Sequence, residues 1–281
     1  MRERTGLLIF LEHFEMTVAF GSDLRKVSYC HNLHVPAHIN HHLSRIDKVL
    51  VRRDLTGDLA RELFAKVREY DIVMQRVPQE KLNRITMKNH QGAIALLSPV
   101  EYQRLEHLVP LFYEEGRNPL VVVLDGLTDT RNFGAIGRTA ACAGVDALVI
   151  PERNSVTVTP DAVKTSAGGL FHVPVCREKD TLSAVRFLKD SGYHIVGASE
   201  KTDTVYTAAD YKEPVAIVMG SEDTGISDSV LRACDELAAI PIVGKIESLN
   251  VSVAAGVQWF VTAAPAYGFR NLKHQHECVE I

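Results

Sequence analysis

The run LVVVLDGLTDTRNFGAIGR, residues 120–138, decides the fold. It opens with five apolar residues in an unbroken row, passes through a polar loop containing Gly126, and enters a helical pattern near Phe133. An unalternated Val/Leu row is a strand buried on both faces, and such strands belong to parallel sheets covered by helices. The same alternation repeats downstream. Strands are predicted at residues 147–150, 173–176, 194–198, 215–219 and 237–240, with helices at 133–143, 160–167, 182–191, 228–234 and from about Val251. Strict alternation of this kind makes residues 120–264 an α/β domain with a parallel sheet. Ligands of such sheets bind beyond the carboxyl ends of the strands, so the loops after them carry the chemistry.

Upstream, residues 45–98 form a smaller βαβαβ pattern. Strands are predicted at 46–51, 72–77 and 93–97, the last after the turn His90-Gln91-Gly92. Between them lie an amphipathic helix at 57–69, with Leu59, Leu63, Phe64 and Val67 on one face, and a short helix at 79–85 opened by Pro78. Residues 99–119 are predicted as a polar linker helix ending in Gly116 and Asn118-Pro119. Residues 1–44 are the least regular. Five of the twelve histidines lie between His31 and His42, and His38 and His42 stand four apart, a spacing that could share a metal on a helix. Pro36 disrupts the neighbourhood and no carboxylate or Cys pair accompanies the histidines, so no metal site is expected.

The 281 residues carry a net charge of −4, with 46% apolar and 23% charged side chains, which excludes wholesale disorder. No stretch is apolar for the ~20 residues a membrane span requires. The run from Gly6 to Leu11 is too short for a secretory core, and the five scattered cysteines read as reduced thiols, so a cytoplasmic location is expected. The charge is unevenly placed. Residues 45–90 hold 11 basic and 7 acidic groups, net +4, whereas residues 91–281 hold 16 basic and 24 acidic, net −8. A basic module beside an acidic α/β domain suits a phosphate backbone, for which Lys81, Arg84, Lys88 and His90 are the candidate contacts. The alternative for each is an ordinary solvated side chain.

Three loops stand out in the α/β domain. In the first, Asn132 and Arg138 flank a helix start containing Gly134 and Gly137, whose low helix propensity points to close backbone approach. The pattern is not a dinucleotide fingerprint: G-x-G-x-x-G is missing, and no acidic residue closes the second strand to hold a ribose. The second loop, VAIVMGSEDTG at 215–225, holds Glu222 between Gly220 and Gly225 at a strand end, or is a plain turn. The third, IPIVGKIESLNVSVAA at 240–255, places Ser248 and Asn250 before a helix of small residues, with Ser248 expected as an N-cap.

Taken together, N-x-G-A-x-x-R at 132–138, G-x-E-x-x-G at 220–225 and S-L-N-V-S-x-A-A at 248–255 resemble the signature motifs of the SpoU (TrmH-type) branch of the SPOUT RNA 2′-O-ribose methyltransferases. The resemblance spans residues 45–259. The leading module, with RVPQEKLNRIT and NHQGAIA, is similar to the L30e-like substrate-binding domain of the RlmB-like form, which methylates a guanosine of 23S ribosomal RNA. The resemblance implies S-adenosyl-L-methionine as cofactor, a C-terminal trefoil knot, and a homodimer joined through the knotted region. It implies a cofactor pocket of Met219, Gly220, Ile240, Ile242, Ser248 and Leu249. It also implies a catalytic set of Asn132, Arg138, Glu222, Ser248 and Asn250, with Arg138 as base or as positioner. Residues 1–44 and 265–281 depart from the usual ends of the family, and Pro265 is expected to interrupt the last helix. Two other classes remain: a nicotinamide-dependent dehydrogenase, disfavoured by the missing fingerprint, and a non-catalytic RNA-binding protein with a vestigial pocket. A tRNA guanosine is the alternative substrate.

Overall fold

The computed structural model describes residues 17–20, 27–29, 45–87, 90–211, 214–246 and 248–266. The histidine cluster with His38 and His42, and the RNA-contact candidate Lys88, lie outside the described residues. The chain forms two units, residues 1–102 with 157–164, and residues 103–156 with 165–281.

The first unit is a five-stranded sheet in the order β2-β1-β5-β3-β4. Its strands are β1 (Thr17–Phe20), β2 (Val27–Tyr29), β3 (Ile46–Arg52), β4 (Met74–Val77) and β5 (Ala93–Leu97), and its helices are α1 (Asp58–Glu69) and α2 (Gln79–Ile85). The βαβαβ pattern is thus part of a larger sheet. Residues 1–44, read as an atypical extension, contribute β1, which runs parallel to β5 and covers what would otherwise be its open edge. β3 pairs parallel with β4 and antiparallel with β5. Leu63 and Val67 of α1 pack on one face of the sheet with Val49, Val51 and Ala95, while Leu82 of α2 packs on the other with Leu50, Val77 and Ile94.

The second unit is a six-stranded parallel sheet in the order β11-β9-β10-β6-β7-β8. Its strands are β6 (Leu120–Leu124), β7 (Ala147–Pro151), β8 (Val175–Glu178), β9 (His194–Ala198), β10 (Val215–Met219) and β11 (Glu236–Ala238). Its helices are α3 (Leu105–Glu114), α4 (Thr130–Ala143), α6 (Thr181–Asp190), α7 (Asp228–Leu231) and α8 (Val251–Ala266), and all but the last residue of α5 (Pro160–Thr165) is assigned to the first unit. Every residue of β6, β7 and β10 is buried, which is why their sequences show no alternation. Strand order reverses between β6 and β10, so the loops leaving these two strands open side by side at the topological switch point.

One expectation changes here. The helix read as a polar linker is shorter than residues 99–119, and Leu105, Val109 and Phe112 bury its inner face in the core of the second unit. Pro110 is exposed, on the face where a missing N–H costs least. At the other end, the last helix is described as far as Ala266, one residue past Pro265.

Candidate functional site

The site is built where β6 and β10 end. Met219 pairs with Leu124, and the Asp125 N–H donates to the Met219 carbonyl at 2.8 Å, so the two loops leave the sheet in register. Asp125 Oδ2 then accepts from the Ser227 N–H at 2.8 Å and ties the first loop to the end of the second.

The first loop enters α4 through Asp129, whose carboxylate caps the helix by accepting from the Asn132 N–H at 2.8 Å. This fixes Asn132 in the first turn. Gly137, one turn further on, meets the short 3-10 turn Gly169–Phe171. A Cβ on Gly137 would lie 2.6 Å from Leu170 Cδ2, and one on Gly169 would lie 2.8 Å from the Gly137 carbonyl oxygen. The close backbone approach expected from the motif glycines is therefore realised at Gly137.

The second loop is a tight turn. Ser221 and Gly225 exchange backbone hydrogen bonds at 3.2 and 3.0 Å, and Gly225 takes the left-handed conformation at φ +64°. A Cβ on Gly220 would fall 2.0 Å from the Gly225 carbonyl carbon, so only glycine fits there. The turn thrusts Glu222 outward, opposite Asn132.

The third motif completes the set. Asn250 caps α8: its Oδ1 accepts from the Ser252 N–H at 2.9 Å and the Ser252 hydroxyl at 2.5 Å. The cap expected at Ser248 is therefore made by Asn250, one residue before the helix. Its Nδ2 is left free to donate to Glu222 Oε1 at 2.6 Å and to Asn132 Oδ1 at 3.0 Å, and Asn132 Nδ2 donates to the same Glu222 oxygen at 2.9 Å. The triangle is self-consistent, because flipping either amide would set oxygen against oxygen. The Val251 N–H also faces Glu222 Oε1, at 3.4 Å, so the carboxylate sits at the positive end of α8. One carboxylate oxygen is saturated. Among the described residues, Glu222 Oε2 and the second proton of Asn132 Nδ2 stay available, an acceptor beside a donor.

Arg138 stands on the exposed face of α4 and makes no hydrogen bond or ion pair among the described residues. Ser248 is exposed and also outside the network. Of the candidate pocket residues, Met219 is buried, Gly220 and Ile240 are half-buried, and Ile242 and Leu249 remain 43% and 39% exposed. The apolar segment around them is uncovered, with Val243 at 100% and Ile246 at 75%.

In the first unit, Lys81 and Arg84 are exposed on α2. His90 is not presented in this way. It is 5% exposed, and its Nδ1 accepts from the Gly92 N–H at 3.0 Å. The proton therefore sits on Nε2, which donates to Asn83 Oδ1 at 3.2 Å. Burial holds the imidazole pKa below its ordinary value, despite an opposing backbone hydrogen bond, and the nearby Arg52 charge lowers it further. His90 shapes its turn rather than offering a cation to RNA. Residues missed by sequence reading include Asp125, Asp129 and Ser252; an acid directly after β6 and another three residues before Asn132 were the available signals. Among the described residues, no helix is long and apolar enough to cross a membrane, and no group of three or more His, Cys, Asp or Glu is placed to hold a metal.

A hydrogen-bonded polar triangle at the switch point of a parallel sheet defines an α/β protein with a ligand site at the carboxyl ends of its strands, and comparison with known proteins narrows the class. Residues 119–260 match the SpoU rRNA Methylase family, and residues 35–103 match the RNA 2′-O ribose methyltransferase substrate-binding domain. The chain belongs to the SpoU family of RNA methyltransferases. A Staphylococcus saprophyticus protein provisionally named a TrmH family tRNA/rRNA methyltransferase is 36% identical over 76% of this chain and 86% of its own length. The equivalent protein of Staphylococcus aureus is 36% identical over 76% and 87%. Among solved structures, the AdoMet-bound rRNA methyltransferase of Sinorhizobium meliloti is similar, with a TM-score of 0.54 and 25% identity over 79% of this chain and 80% of that one. The SpoU methyltransferase AviRb of Streptomyces viridochromogenes shares the fold, with a TM-score of 0.54 and 23% identity over 79% and 84%.

Proposed function

We propose that this chain transfers a methyl group from S-adenosylmethionine to the ribose 2′-hydroxyl of a guanosine in 23S ribosomal RNA. The observation that carries the reading is the meeting of Asn132, Glu222 and Asn250, drawn from three distant motifs into one hydrogen-bonded group. S-adenosylmethionine supplies a methyl group already activated on a sulfonium. The residues present fit that cofactor. Met219, Gly220, Ile240, Ile242, Ser248 and Leu249 offer backbone groups and uncovered apolar surface of the kind an adenosine requires.

The chain's own residues then align the acceptor. Glu222 Oε2 takes a donor of the target nucleotide, and the free Asn132 N–H holds an oxygen beside it. The uncommitted Arg138 guanidinium grips phosphate or ribose. A guanidinium stays protonated, so Arg138 acts by position and charge rather than by removing the hydroxyl proton. The substrate-binding domain supports an RNA substrate, and the match of residues 119–260 to the SpoU rRNA Methylase family favours a ribosomal one. Uncovered Ile242, Val243, Ile246 and Leu249 support a homodimer closed over residues 241–253, with the trefoil knot that the family resemblance implies, working in the cytoplasm.

The test is methyl transfer from labelled S-adenosylmethionine to transcripts of 23S ribosomal RNA and of tRNA, followed by mapping of ribose methylation. Label at one 23S guanosine is the expected result. Label only in tRNA overturns the substrate, and label in neither RNA overturns the reading.

A further inference from the structure

The cations singled out by sequence lie on α2, but a different pair stands at the carboxyl ends of β3 and β4. These strands run parallel and side by side, and β4 is the edge of the sheet. Arg53 follows β3 directly, and its N–H donates to the Val77 carbonyl at 3.1 Å, which fixes it against the end of β4. Arg76 Nη1 donates to the Arg53 carbonyl at 3.0 Å, and its guanidinium lies 5.0 Å from the centre of the Phe64 ring. Phe64 is itself packed against the α1-side core.

Both arginines are exposed, and neither pairs with a carboxylate among the described residues. Their neighbours behave differently: Arg52 pairs with Asp54 at 2.7 Å, and Arg61 pairs with Asp58. A guanidinium stacked on a fixed ring and anchored through one N–H keeps most of its five donors but has little freedom left to lose. That is a preorganised fork for a phosphate. Strand alternation separates it from α2. Val77 packs with Leu82 on the α2 side, so Arg76 projects to the α1 side, over Phe64.

We infer that Arg53 and Arg76 form a phosphodiester-binding site for the RNA substrate, distinct from Lys81 and Arg84. The inference rests on the RNA reading proposed above. An RNA backbone crossing the β4 edge reaches both faces of the sheet and so both sets of cations.

The test measures binding of the full chain to 23S ribosomal RNA and tRNA transcripts over a range of salt. Arg53→Gln removes no side-chain hydrogen bond or ion pair among the described residues, so the fold should hold. It is expected to weaken binding to whichever RNA the wild type holds, and the double variant Arg53→Gln/Arg76→Gln to weaken it by about 10-fold at low salt. The slope of log affinity against log salt should fall by about one per lost phosphate contact. KM for RNA should rise with kcat unchanged. Arg76→Lys, which keeps the charge but loses the planar fork, should fall between, and Arg61→Gln should match the wild type. Wild-type affinity and salt slope in both Arg53→Gln and the double variant overturn the site while leaving the RNA reading intact. Wild-type protein that holds neither RNA overturns the reading and the site together.

Discussion

In the second unit the polar residues of three motifs bond to one another, whereas in the first the cations stand on the surface with few partners. Glu222 Oε1 receives two amide donors and faces a backbone N–H, and each amide has its orientation fixed by the others. Lys81, Arg84 and Arg53 are exposed and make no ion pair among the described residues. The first arrangement defines positions to a fraction of an ångström, as chemistry on one hydroxyl requires. The second supplies attraction that is tolerant of position and weakened by salt. The charge division, +4 against −8, follows the same line: long-range attraction is placed on one unit and alignment on the other.

Breaking the scaffold of the aligned site should have the largest effect. Gly220→Ala would drive a Cβ into the backbone at Gly225 and Ile226, which cannot rotate away as a side chain could. About 3 kcal/mol or more of stability should be lost, at the top of the overpacking range, with methyl transfer abolished. A thermal midpoint roughly 6–12 °C lower would show it. Gly137→Ala sharpens the point, since the clash there is with the Leu170 side chain, and a smaller loss is expected.

Next come two substitutions that separate alignment from framework. Arg138→Ala removes a side chain without partners among the described residues, so stability should stay within ~0.5 kcal/mol. Activity should fall by roughly 100-fold or more, the cost of losing one positioning contact, while S-adenosylmethionine still binds by calorimetry. Full activity would remove Arg138 from the reaction. Asn250→Ala removes the cap of α8 and two donors to the triangle. It should lower both activity and stability, the latter by about 1 kcal/mol. A variant equally stable but inactive would mean that the cap is dispensable.

The sequence reading worked best where the chain is most buried. β5, β6, β9, β10 and α2 fall at the bounds expected from their apolar rows and turn residues. It erred where burial and polarity mix. The stripe Leu105, Val109 and Phe112 is flanked by Glu106, His107 and Glu114, so a core helix resembles a linker. β1 and β2 are four and three residues long, too short for alternation to register. The motifs singled out Asn132, Glu222 and Asn250, and the structure joins these three by hydrogen bonds. Their bonds span separations of 90, 118 and 28 residues, which no local spacing encodes. Arg76 was missed because its significance lies in a ring and a carbonyl brought to it by the sheet.

The smallest expected effect tests whether His90 belongs with the surface cations or with the framework. A cation presented to RNA would keep an ordinary imidazole pKa, or a raised one beside phosphate. Burial instead depresses it below 6.5 in the folded chain. The unfolded chain then binds the proton more readily, so the contribution of His90 to stability is complete above pH ~6.5 and declines as the pH falls below that value towards the folded pKa. His90→Gln, which cannot titrate, should remove that part of the pH dependence. It should also cost about 1 kcal/mol at neutral pH, from the hydrogen bonds to Gly92 and Asn83. Denaturant unfolding of both chains across pH 5 to 8 provides the comparison, and the NMR titration of the His90 ring reports its pKa directly. A pKa above 6.5, or RNA affinity lost in His90→Gln at unchanged stability, would return His90 to the binding surface.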